Sequence, residues 1–125
     1  MIRSGVQEEL AELKRLTHKI AVIIDSERCR PNAPLTNGRQ KFIQDCEQLG
    51  FSVLATERRA FENYLPEGAI QRVMGPKYNA LEPYQRLKDA PISWGKHDNW
   101  RIARQMSCDD LLASDIGKFL KKPGN

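Results

Sequence analysis

Long apolar runs are missing from this chain. The longest uninterrupted one is the five residues at 20–24, against the roughly 18–20 that a helix needs to cross a bilayer. No membrane span is expected, and no signal-peptide pattern is read at the start of the sequence. Cysteine is scarce too. Cys29, Cys46 and Cys108 are odd in number and far apart, which excludes a disulfide framework and a CxxC zinc pattern and makes a reducing cytoplasm the expected setting. Of histidines there are only His18 and His97, without ligand spacing, and neither is assigned a metal role. A GxxxxGK[ST] phosphate loop is absent, so the chain itself carries no nucleotide-hydrolysing site of that kind. Internal repeats and low-complexity segments are lacking as well.

What is present is enough for one domain. The 125 residues allow a genuine core but are few for a complete multi-stranded enzyme. Twenty Lys and Arg against sixteen Asp and Glu give a net charge of +4. That excess mildly favours polyanionic partners without establishing nucleic-acid binding. The basic residues are spread along the chain, as on a generally solvated surface.

The chemistry is expected around the run 20–24. It is rich in β-branched residues, lacks polar alternation and ends in two acids, Asp25 and Glu27. Such a run suggests a strand buried on both faces, as in a parallel sheet. Ligands of open parallel sheets bind beyond the carboxyl ends of the strands, where these acids fall. If the chain stays extended through Glu27, both side chains share a face and can offer hard oxygen donors to a magnesium-type ion. The plain alternative is a buried strand followed by a solvated turn.

Thr36 or Asn37 caps a predicted helix near 36–49, with Phe42, Ile43, Cys46 and Leu49 as its buried stripe and Gly50 just past its end. Residues 51–55 read as the next strand. Strand, helix and strand make a βαβ unit with a right-handed crossover, so 20–25 and 51–55 should be parallel. Upstream, Val6, Leu10, Leu13 and Leu16 predict an amphipathic helix over residues 5–17. Downstream, a helix is predicted from Pro66 to Gly75, a short one over 82–88, and a short strand at 92–94. Another helix follows, capped by Asp98 and burying Trp100, Ala103 and Met106. A final helix or pair of turns at 109–120 turns Leu111, Leu112, Ile116, Phe119 and Leu120 inward. Asp109, Asp110 and Asp115 read as helix N-terminal acids.

If the two strands are neighbours, Asp25 and Glu27 should converge with Glu57 and Glu62. Four carboxylates at one edge are costly unless a cation or basic partners neutralise them. Arg28, Arg58, Arg59 and Lys96 are candidate partners, so an ion-pair network stands beside a metal site. Lys96, just before a helix, can hold a phosphate or stabilise charge in a transition state.

These residues resemble a family. Ile23-Ile24-Asp25-Ser26-Glu27, then Leu54-Ala55-Thr56-Glu57-Arg58-Arg59-Ala60-Phe61-Glu62-Asn63-Tyr64-Leu65, and Gly95-Lys96 before Ile102-Ala103 look like the later part of a TOPRIM domain. The variant is that of the overcoming-lysogenisation-defect (OLD) nucleases and related ATPase-linked phage-defence proteins. The similarity runs through short motifs over residues 19–120. It implies an α/β, Rossmann-like parallel sheet flanked by helices, and a Mg²⁺- or Mn²⁺-dependent endonuclease acting on DNA phosphodiesters. It implies Asp25, Glu27 and Glu62, less directly Glu57, as metal ligands, with Lys96 and Glu62 catalytic. The family's acidic pair is usually Asp-x-Asp, so Glu27 lengthens one arm.

The family's first strand, ending in a glutamate, has no counterpart in residues 1–18, where Glu8, Glu9 and Glu12 lie on a predicted helix. The domain reading is therefore a helix at 1–18, a partial TOPRIM-like domain at 19–122 and a tail at 123–125. An ATPase domain or subunit acting in trans is the implied partner, and a homo-oligomer is left open. Two other functions compete. One is a non-catalytic interaction module with a degenerate TOPRIM fold. The other is a haloacid-dehalogenase-like phosphotransferase with Asp25 as nucleophile, Thr56 as the second-strand hydroxyl, Lys96 as charge-holding base, and Asp110 and Asp115 as metal acids.

Overall fold

The computed structural model describes residues 8–12 and 20–121. Two four-residue strands, β1 (Ala21–Ile24) and β2 (Ser52–Ala55), lie parallel and adjacent. Ala21 faces Ser52 and Ile24 faces Ala55. Between them runs α1 (Asn37–Gln48), so the βαβ unit is as expected. Its limits have local causes. The Thr36 hydroxyl accepts the Arg39 amide at 3.3 Å, satisfying one of the first-turn donors. After Leu49, Gly50 takes φ 84°, which lets the chain reverse at once into β2. Cys46 is the fully buried residue of α1, while Phe42, Ile43 and Leu49 are half-buried.

The chain is mixed α/β, but its sheet is small, with two strands among the described residues. β1 is not buried on both faces: Ala21 is exposed and Ile23 is 38% exposed. The main core lies elsewhere. Leu65, Ala69, Ile70, Leu81, Leu87, Trp94 and Ile102 form one buried cluster, drawn from α2 (Glu67–Met74), the residue Leu65 just before it, α3 (Asn99–Ala103) and the irregular chain between the two helices. Residues 82–88 are not a helix, only a 3-10 turn at Leu87–Asp89, and 92–94 is not a strand. Asn63 explains the first difference. Its buried amide donates to the carbonyls of Glu82 and Gln85, both at 2.8 Å, taking up carbonyls that a helix would have used internally.

Two short helices close the described chain, α4 (Cys108–Leu112) and α5 (Asp115–Leu120). Ser107 and Ser114 are their caps. Asp110 completes a capping box with Ser107, but Asp115 does something else. It accepts the Tyr64 hydroxyl at 2.5 Å and the Glu57 amide at 3.1 Å, tying α5 to the segment after β2. Burial and this donation to Asp115 hold the Tyr64 phenol well above its usual pKa, so it stays a donor. Ile116 and Phe119 are buried, Leu111 is half-buried, and Leu112 and Leu120 are exposed.

Residues 8–12 are helical. The rest of the helix predicted over 5–17, His18 and the tail lie outside the described residues. Among the described residues no helix is long and apolar enough to cross a membrane.

Candidate functional site

The carboxyl ends of β1 and β2 are stitched together by buried hydroxyls. The Thr56 amide continues the ladder to the Ile24 carbonyl at 3.0 Å. The Ser26 amide donates to the Thr56 hydroxyl at 3.0 Å, and both hydroxyls donate to the Arg58 carbonyl, at 3.0 and 2.8 Å. A carbonyl has two lone pairs, so all these groups are satisfied without water. The stitch holds the acids of one loop against the chain of the other. The Phe61 amide donates to Asp25 Oδ1 at 2.9 Å, which puts Asp25 beside the residue preceding Glu62.

The Glu62-Asn63-Tyr64 triplet lies in a 3-10 turn, Phe61–Tyr64. With about three residues per turn, successive side chains diverge by roughly 120°. The three accordingly serve three places. Asn63 turns inward to the 82–85 loop, Tyr64 reaches Asp115, and Glu62 faces the sheet edge. Glu62 is only 4% exposed. Its Oε2 lies 3.4 Å from Lys96 Nζ and its Oε1 accepts Asn99 Nδ2 at 3.1 Å. Asn99 is itself oriented, because its Oδ1 accepts the indole N–H of buried Trp94 at 2.8 Å. A donor-only indole leaves the amide NH₂ to face Glu62.

Asp25, Glu27, Glu62 and Lys96 all act on one charge. The Asp25 carboxyl is raised above its usual pKa first by burial; the Phe61 N–H opposes this, Glu62 raises it further, Lys96 lowers it and Glu27 raises it. The cleft beside them, about 390 Å³, is lined by Glu27, Glu62, Arg59, Arg86, Lys88 and Lys96 among others. Arg59 and Lys96 pair with these two carboxylates and Arg86 with Asp89; with Lys88 beside them, the cationic lining suits a phosphate-bearing ligand. Asp25 does not line this cleft; it lines a separate, apolar one with Ile23 and Phe61.

Two expected site residues are placed differently. Glu27 does not continue the strand. It has φ 58°, left-handed backbone, so it does not share an extended face with Asp25. Its amide is held by the Arg59 carbonyl at 2.8 Å, and its carboxylate is bridged by Arg59 at 2.8 Å and Arg39 at 3.8 Å. Arg59 was foreseen as a basic partner, whereas Arg39 was not: a guanidinium on the first turn of a helix reads as solvent-facing. Glu57 is exposed and its amide is tied to Asp115; it does not line the cleft. Asn99 was missed as well, although Lys96 and Asn99 stand i, i+3 just before the Ile102-Ala103 step.

Among the described residues no three or more His, Cys, Asp or Glu side chains are grouped as metal ligands. Of the four expected carboxylates, Asp25 is held by the Phe61 amide, Glu62 by Lys96 and Asn99, and Glu27 by its arginines, while Glu57 lies outside. The phosphotransferase alternative finds its groups engaged: the Thr56 hydroxyl is buried and both donates and accepts a hydrogen bond, Asp110 caps α4 and Asp115 holds Tyr64. Comparison of the chain with family models, with curated proteins and with solved structures finds no match in any of the three.

Proposed function

We propose that this chain is a metal-dependent nuclease domain of the TOPRIM type, resembling that of the OLD nucleases, and that it acts on DNA phosphodiesters together with an ATPase domain or subunit. The observation that carries the reading is that Asp25, from the end of β1, is anchored on the amide just before Glu62, which pairs with Lys96, at the carboxyl edge of a parallel strand pair. Mg²⁺ is commonly held by one or two carboxylates, with waters and substrate phosphate completing its shell. Asp25 and Glu62 fit that donor set: both are hard oxygen donors, and their mutual repulsion is what a cation relieves. They would hold Mg²⁺ or Mn²⁺, which when bound supplies Lewis acidity toward the phosphodiester.

The chain's own residues do the rest. Trp94 and Asn99 fix the Glu62 carboxylate in direction. Lys96, with a largely exposed side chain at 3.4 Å from Glu62, can leave that partner for a phosphate oxygen and stabilise charge as it develops there. Arg59, Arg86 and Lys88 line the approach.

One observation favours the second reading, an interaction module without catalysis. Glu27 is closed by two guanidinium groups, as in an ion-pair network. Nicking of supercoiled plasmid separates the two. The nuclease reading expects nicking with Mn²⁺ or Mg²⁺ and none with EDTA. It expects a loss of about 100-fold or more in Glu62→Gln, and roughly 10²–10³-fold in Lys96→Ala, comparable to removing one charge-stabilising donor. Equal plasmid nicking by wild type and both variants would assign the activity to a contaminant and leave the module.

A further inference from the structure

Away from the cleft, the most unusual surface is on α3. Ile102 points into the core with no exposure, yet Trp100 is 58% exposed. Trp100 was expected inward, but a five-residue helix that buries Ile102 and turns Asn99 toward Glu62 on one side carries Trp100 on the other. An exposed hydrophobic side chain standing alone needs no explanation; what distinguishes Trp100 is its setting. The surroundings of Trp100 are cationic. The Arg104 guanidinium lies 5.6 Å from the indole centroid. Arg72, Arg101 and Arg104 line with it an open depression of about 420 Å³ that contains no carboxylate. The acid nearest in these interactions is Asp98, paired with Arg101 at 2.8 Å.

A flat π-face among guanidinium groups selects a ligand with flat faces and negative charge. Single-stranded nucleic acid has both, since bases stack on aromatics and phosphates meet arginine. Position adds a second argument. Asn99 starts the helix and touches Glu62, and Arg104 follows its end. At 1.5 Å per residue the two are about 8 Å apart along the axis. Trp100 and the residue that holds Glu62 thus belong to one short helix.

We infer that Trp100, Arg72, Arg101 and Arg104 form a stacking platform that binds single-stranded nucleic acid and leads it to the Glu62–Lys96 cleft; its role as substrate guide rests on the nuclease reading, its binding does not. The test uses indole fluorescence of the full chain in EDTA, titrated with an oligothymidylate. Trp94 is buried and Trp100 is the exposed indole, so quenching reports Trp100. Quenching that saturates is expected, with affinity falling as salt rises at a log–log slope near −2 for about three phosphate contacts. Arg101→Ser with Arg104→Ser should weaken binding tenfold or more; Trp100→Leu, which removes the reporter and is therefore read by anisotropy of a labelled oligothymidylate, should weaken it with unchanged melting temperature. Absence of quenching at low salt overturns the inference, as does binding indifferent to these substitutions. Polyglutamate quenching as strongly as the oligonucleotide also overturns it, in favour of an acidic protein partner. Because binding is read without metal, quenching without nicking faults the nuclease reading alone, and nicking without quenching faults this one alone.

Discussion

Asp25 shows how a single residue can be legible in sequence while its neighbour is not. An acid at the end of an apolar strand announces itself by position, and Asp25 is held there by the Phe61 amide, one residue before the Glu62 that pairs with Lys96. The side-chain direction of Glu27 could not be read that way, because nothing in a non-glycine residue signals φ 58°; it is imposed by the Arg59 carbonyl and the two guanidinium groups. Asn99 was obscured for another reason, since an asparagine at a helix start reads as a cap. The state of Asp25 gives a pH prediction. Its folded pKa is raised, so the folded state holds the proton more tightly than the unfolded one. Metal-free stability is then highest, as far as this group goes, below the unfolded carboxylate value. It falls as pH rises from that value through the raised folded one. Asp25→Asn keeps an oxygen for the Phe61 amide and removes the charge. Thermal melts in EDTA should place it a few degrees above wild type at neutral pH, the gap closing as pH drops toward 4. An ion-pair network would instead put the variant below wild type.

At the scale of elements, the βαβ unit was readable because its signals are local: an apolar run, Thr36 as cap, Gly50 as terminator. The stretch from 82 to 94 was not, because its shape is set from outside by Asn63 and by the core around Leu87 and Trp94. The α4–α5 pair is another tertiary decision, and Gly117 makes it possible. A Cβ there would overlap the Leu111 carbonyl oxygen and come within 2.7 Å of Leu112 Cα, backbone that cannot move aside cheaply. Gly117→Ala should cost about 1–3 kcal/mol in urea denaturation and loosen the Asp115 hold on Tyr64. Gly38→Ala is the matched comparison. Nothing lies within 4 Å of its added methyl, and in α1 it should be neutral or stabilise by up to about 1 kcal/mol.

For the whole molecule, the expectation of a Rossmann-like sheet holds only in its coarse form. Two parallel strands carry helices, and most of the buried apolar surface gathers in the layer formed by residues 65–102. That layer was invisible to periodicity because it joins short helices and loops rather than long amphipathic faces. It is nevertheless what delivers Asn99 and Lys96 to Glu62, so the site depends on the larger core as much as on the sheet. The central claim is that Asp25 and Glu62 together are a place for a divalent cation. Titration of the protein with Mn²⁺, followed by the loss of the free ion's electron paramagnetic resonance signal, tests it without requiring turnover. Saturable binding by the wild type is predicted, at least tenfold weaker in both Asp25→Asn and Glu62→Gln. Wild-type protein that leaves the Mn²⁺ signal unchanged, or variants that bind as well as wild type, would contradict it.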